Sequence, residues 1–156
     1  MQNIEHGLAM KKKMSGHLKI ELNGEIVVDK HNTFTDVGDA HVADQLDASP
    51  GEAAMGWMSI GTGSTPFSVS STTLNSEIDR NALTGGYPEQ QAGGSDNVVV
   101  YKATWAAGDG TGALVEAGIF NSSVTDAGTL LAASTFPVIN KGASDTLTIT
   151  WSVTVG

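Results

Sequence analysis

"DTLTITWSVTV", residues 145 to 155, decides the fold. Within it Leu147, Ile149, Trp151, Val153 and Val155 alternate with Thr146, Thr148, Thr150, Ser152 and Thr154 without exception. Successive side chains of a β-strand point to opposite faces, so the run predicts a strand between a core and water, apolar on one face and hydroxyl-bearing on the other.

Working outward, the same pattern recurs upstream. "VVVYKATW" (98–105), "ALVEAGIF" (113–120) and "TLLAASTFPVI" (129–139) are separated by turn-rich "AAGDGTG", "NSSVTDAG" and "NKGAS", which predicts a four-stranded meander. Near the start, Leu18, Ile20 and Leu22 alternate with Lys19, Glu21 and Asn23. Asn23-Gly24 then supplies a type I′ turn and "EIVV" returns, so a hairpin is predicted. Residues 35 to 47 break the alternation: Thr35 or Asp36 can cap a helix whose Val42, Ala43 and Leu46 share one face, ending before Pro50-Gly51. Trp57 to Ile60 reads as a brief strand, Leu74 and Ile78 as a helical turn or irregular segment, and residues 84–97 as a long surface loop. The seven or eight strands predict an all-β fold: a jelly-roll-like β-sandwich with one short helix and an extended N-terminal arm. Residues 1–16 are assigned to the arm and residues 17–156 to a single sandwich domain.

Composition agrees with one domain. A chain of 156 residues buries roughly 70% of its unfolded surface when compact. Its 19 Gly, 16 Thr and 14 Ser favour turns and pleated strands. There is no cysteine, which rules out a disulfide framework and a thiolate metal site. No stretch offers the ~18 consecutive apolar residues of a membrane helix, and the first twenty residues lack the apolar run of a signal peptide, so a protein that is not exported and makes no membrane contact is expected. The net charge of -9 is unevenly placed. Residues 1–30 carry five lysines against four acids, whereas residues 31–156 carry three basic residues against thirteen acids. A body this acidic repels nucleic-acid phosphate, so no nucleic-acid partner is expected.

Four stretches invite a chemical reading. "GTGSTP" (61–66) resembles the start of a phosphate loop, but Pro66 stands where a third glycine is needed and no lysine follows, so it reads as a loop leaving a strand. "DVGDAHVAD" gathers Asp36, Asp39, His41 and Asp44, yet the other histidines sit in other segments, and a capped helix with a solvated acidic face is the simpler reading. "GDGTG" (108–112) lacks the Asp-x-Asp ladder and closing Glu of a calcium loop and reads as a hairpin turn. Among carboxylates near strands, Glu77, Asp79 and Glu116 show no spacing that pairs two across a groove, and Glu77 with Arg80 reads as an i, i+3 ion pair. No Gly-x-Ser-x-Gly elbow is present. No enzyme, cofactor or metal is expected. Of the aromatic residues, Trp57 and Trp151 read as core and Tyr87 alone as an outward recognition group.

Four pieces taken together, "KHNTFTDVGDAHVADQL", "MSIGTGSTPFSVSSTTLNSEIDR", "VVVYKATWAAGDGTGALVEAGIF" and "GTLLAASTFPVINKGASDTLTITWSVTV", resemble small virion structural proteins of tailed bacteriophages. The middle piece matches in order: Ile60, Gly61 to Gly63, a Ser/Thr/Pro stretch, Leu74, then Glu77 shortly before Arg80. The resemblance covers roughly residues 18 to 155 and departs at the insert 84–97 and in the arm. It implies a capsid decoration (cement) protein on the virion surface, made in the host cytoplasm, a homotrimer bound to the major capsid protein. The alternative it leaves is a tail-fibre or baseplate module that recognises a host surface. The expected partner-binding residues are Ile4, Leu8, Lys11, Lys12 and Lys13 of the arm, apolar docking by the first two and charge by the lysines.

Overall fold

In the computed structural model the chain is described for residues 14–93 and 96–156. The first strand, β1 (Ser15–Leu22), starts two residues before the expected arm boundary, so Ser15 and Gly16 belong to the sheet. It turns into β2 (Glu25–His31) through Asn23 and Gly24, whose φ values of 52° and 83° are those of a type I′ turn. β3 (Thr33–Phe34) and the helix α1 (Asp36–Gln45) follow, then β4 (Trp57–Gly61), β5 (Glu77–Ala82), β6 (Glu89–Gln90), β7 (Val98–Trp105), β8 (Gly112–Phe120), β9 (Leu130–Lys141) and β10 (Leu147–Thr154). The segment 84–97 thus holds a short edge strand within its loop.

These strands form two antiparallel five-stranded sheets, ordered β2-β1-β10-β7-β6 and β3-β9-β8-β4-β5. The architecture is an all-β sandwich. Pairing of β1 with β10, β3 with β9 and β4 with β8 nests the two halves of the chain. Along β10, Leu147, Ile149, Trp151 and Val153 are buried while the hydroxyl residues between them are half-exposed, as the alternation demands; Val155 lies past the strand and is exposed. Between the sheets Leu18, Ile20, Trp105 and Trp151 meet Met58, Ile60, Leu114 and Ile119 in one core.

The expected meander is corrected. Only β8 and β9 pair as chain neighbours in that third of the protein; β7 and β10 pair with each other in the opposite sheet. Turn length alone does not separate a hairpin from a crossing between sheets, and packing decides it here. At Gly110, where φ is 56°, an added Cβ would come within 2.5 Å of the Ile60 side chain and 3.0 Å of Trp105, so the "GDGTG" connection dips against the core instead of folding β8 back on β7. The buried Lys141 at the end of β9 secures it, its Nζ donating to the Ala106 carbonyl at 3.0 Å.

The second sheet is covered on its outer side as well. From Glu116 to Phe120 every residue of β8 is buried. Ala117 and Ile119 face the main core. Phe120 faces away from it and packs with Leu74, Leu130 and Ala133 in a smaller cluster, joined by half-buried Trp57 and Phe67. Trp57 is therefore packed beneath a loop and not between the sheets.

Candidate functional site

The Gly-Thr-Gly loop does hold an anion, and the anion belongs to the chain. Glu116 is fully buried on the outer side of β8. Its Oε1 accepts the backbone N–H groups of Gly63 at 3.0 Å and Ser76 at 2.7 Å; its Oε2 accepts the Asn75 backbone N–H and the Asn75 side-chain amide, both at 2.9 Å. A carboxylate offers about four acceptor positions and here takes four donors, so nothing is left for a ligand. Close approach explains the glycines. A Cβ on Gly61 would lie 2.4 Å from Glu116 Oε1 and from the Ser76 carbonyl oxygen, and one on Gly63 would lie 2.3 Å from Asn75 Cβ.

Glu77 and Arg80 form the expected ion pair, but deep inside. Their side chains are 0% and 2% exposed, and the guanidinium meets the carboxylate through Nε and Nη2, both at 2.7 Å. Nη1 donates to the Ser122 and Ala127 carbonyls at 2.8 Å each, and the guanidinium carbon sits 3.9 Å over the Phe120 ring. Burial by itself would raise the Glu77 carboxyl; the Arg80 hydrogen bonds and the Asp126 N–H outweigh it and hold the group below the ordinary glutamate range. The pair fastens the β8–β9 turn across the outer face of the sheet.

The acidic helix segment separates into two structural latches. Thr35 caps α1 by accepting from Gly38 N–H at 2.9 Å, and its hydroxyl donates to the Leu130 carbonyl at 2.5 Å. His41, buried, bonds through Nδ1 to Glu52 Oε2 at 2.8 Å, and the same oxygen accepts from Thr129 at 2.9 Å. These two hydrogen bonds, His41 first, draw the Glu52 carboxyl below its ordinary range. Asp44 accepts from the Glu52 and Gly51 backbone N–H groups, which lower its carboxyl likewise. Asp36 and Asp39 remain on the surface in the first turn, where the helix dipole favours them. Among the described residues no group of three or more His, Asp or Glu is placed to hold a metal ion. No helix among them is long and apolar enough to cross a membrane.

The expected helix face is corrected too. Gly38 and His41 are the buried positions, whereas Leu46 is 84% exposed. The reason is Gly38: a Cβ there would lie 2.4 Å from the Leu131 carbonyl oxygen, so the helix seats its backbone directly on β9 and rolls Leu46 outward. Leu46 then stands on the rim of an apolar groove of about 270 Å³ at one end of the sandwich, floored by Met55, Leu131 and Val153 and walled by Val42 and Tyr101. Burial against this wall pushes the Tyr101 hydroxyl up from its ordinary range. Val155, 51% exposed, completes the rim, and Met14, the first residue described, lies in the wall.

Sequence reading missed this groove, because its lining comes from seven separate stretches. The one local signal is a lone leucine in the polar run "DQLDAS". Ile4, Leu8, Lys11, Lys12 and Lys13 lie outside the described residues. Tyr87 is half-buried rather than fully outward, with Lys102 Nζ 5.9 Å from its ring centre. Compared with protein-family models, curated proteins and solved structures, the chain matches none.

Proposed function

We propose that the chain is a phage capsid decoration protein that binds the outer surface of the major capsid protein shell as a homotrimer and stabilises the particle. The observation that carries the reading is the open apolar groove beside Met14, on a sandwich whose buried charged groups are already engaged within the chain. Glu116, Glu77, Arg80, His41 and Glu52 all serve to hold loops in place. A body built this way presents shape and hydrocarbon to neighbouring copies as well as to the shell, and docking contacts made only in the assembled shell stabilise that shell by mass action. Ile4 and Leu8 offer apolar contact and Lys11, Lys12 and Lys13 charge to these partners. The resemblance of four ordered segments to small virion proteins supports the same assignment.

Sedimentation of purified protein with empty capsids tests it. Saturable co-sedimentation at hundreds of copies per shell is expected, with a raised thermal midpoint of the shell. Tens of copies or fewer on virions would assign the protein to a tail or fibre part instead, and absence from virions would overturn both.

A further inference from the structure

We propose that the apolar groove receives residues Ile4 to Met10 of a second copy of this chain, so that copies are linked arm into groove. This rests on the self-association proposed above and names the surface that carries it. The groove is open to water with large hydrocarbon side chains on its rim, Leu46 at 84% and Val155 at 51% exposure. Hydrocarbon gathered in one concave patch is characteristic of an interaction site, whereas isolated exposed apolar residues are ordinary. Its volume of about 270 Å³ lies just below the ~300–1,000 Å³ of small-molecule sites and suits a few aliphatic side chains.

The sequence provides such side chains where the described structure begins. Met14 lines the groove and thirteen residues precede it, among them Ile4, Leu8 and Met10. Ile4 and Leu8 are four apart, the spacing of neighbours on one helix face. Charge fits as well. Asp47 follows the rim residue Leu46 and Glu89 follows Pro88 of the groove wall, both exposed. A segment laid in the groove would bring the adjoining Lys11, Lys12 and Lys13 towards these acids.

The same lysines favour a second copy over the parent chain. Returning Ile4 and Leu8 to the parent groove would need a tight reversal through Lys11, Lys12 and Lys13, which self-repulsion of adjacent like charges opposes. Met14 is moreover itself one of the side chains that line the parent groove. An arm-to-groove contact is heterologous, and such contacts form a ring when the rotation closes.

Because the chain contains no cysteine, engineered thiols report on this without background. Leu8→Cys protein and Leu46→Cys protein are purified separately, one carrying a size tag, then mixed at micromolar concentration and oxidised. The expected result is a tagged–untagged covalent dimer on a non-reducing gel, at least tenfold above the yield with Val124→Cys, an exposed position outside the groove. Yield no higher than with Val124→Cys overturns the proposal. So does a Leu8→Cys/Leu46→Cys double variant that closes on itself as a monomer. Leu46 is exposed, so its replacement leaves the fold intact. Capsid binding is read separately: if the thiols fail to join while wild-type protein still sediments with shells, the groove assignment falls and the capsid reading stands. If the thiols join while wild-type protein fails to sediment, the arm-to-groove contact stands and the capsid reading falls.

Discussion

Glu116 sets the most demanding condition at the scale of single residues. Its two oxygens accept four donors drawn from the loop that follows β4 and from the approach to β5, in a position sealed from water. Glu116→Gln keeps the shape but replaces one acceptor oxygen with an N–H₂ group that faces donors. Each buried donor left without a partner costs about 1–3 kcal/mol. A lowered urea midpoint with an unaltered β circular-dichroism signal is expected; an unchanged midpoint would show that these hydrogen bonds add nothing to stability. Both halves of this arrangement were visible in the sequence, the Gly-Thr-Gly stretch as a loop and Glu116 as a strand carboxylate. Their union was not, because Ser76 and Gly63 lie 40 and 53 residues from Glu116, and no local pattern reports a contact over that span.

At the scale of elements, legibility follows the period of each segment. β7 and β10 were readable from composition and alternation, because each has a face that must be buried. Their partners were less readable: the turn before β8 is short enough for a hairpin, and its crossing to the other sheet goes with contacts distant in sequence, Gly110 against Ile60 and Lys141 on the Ala106 carbonyl. The helix shows the same limit. Its cap, Thr35, was legible from residue type, whereas its buried face was not, since a glycine gives no hydrophobic signal and yet sets the contact with β9. Gly38→Ala tests that contact. An alanine in an exposed helix normally stabilises by about 1 kcal/mol relative to glycine. Here its methyl group would meet the Leu131 backbone, which has no flexible end to move aside. The expected sign is therefore reversed, with a loss of about 1–3 kcal/mol for overpacking, read as a lower thermal midpoint; a gain would show that α1 is free to lift from the sheet.

The acid response of the whole molecule brings these local latches together. Glu77, Glu52, Asp44 and Asp145 all have carboxyls held below their ordinary range, and together they tie the loop after α1, the β8–β9 turn and the β1–β2 turn. Glu77 binds Arg80 and the β8–β9 turn; Asp145 is lowered first by the Asn23 amide, which joins the β1–β2 turn to the start of β10, and then by the Gly142 N–H. A carboxyl whose folded pKa is depressed contributes its stability above the unfolded value, about 4 for these side chains, and loses it as pH falls through the folded value. The global charge acts in the opposite direction. The net charge of -9 shrinks as pH approaches the isoelectric point near 4.6, which relieves self-repulsion and favours the compact state. A urea midpoint that holds or rises between pH 7 and about 5, then falls steeply below about pH 4, would separate the two effects. These carboxyls are held chiefly by hydrogen bonds at contact distance, whereas self-repulsion acts between separated surface charges, so added salt should flatten the rise towards pH 5 and leave the fall below about pH 4 in place. Stability that climbed steadily down to pH 3 would mean that relief of repulsion outweighs the latches, and that the loops are held by packing alone.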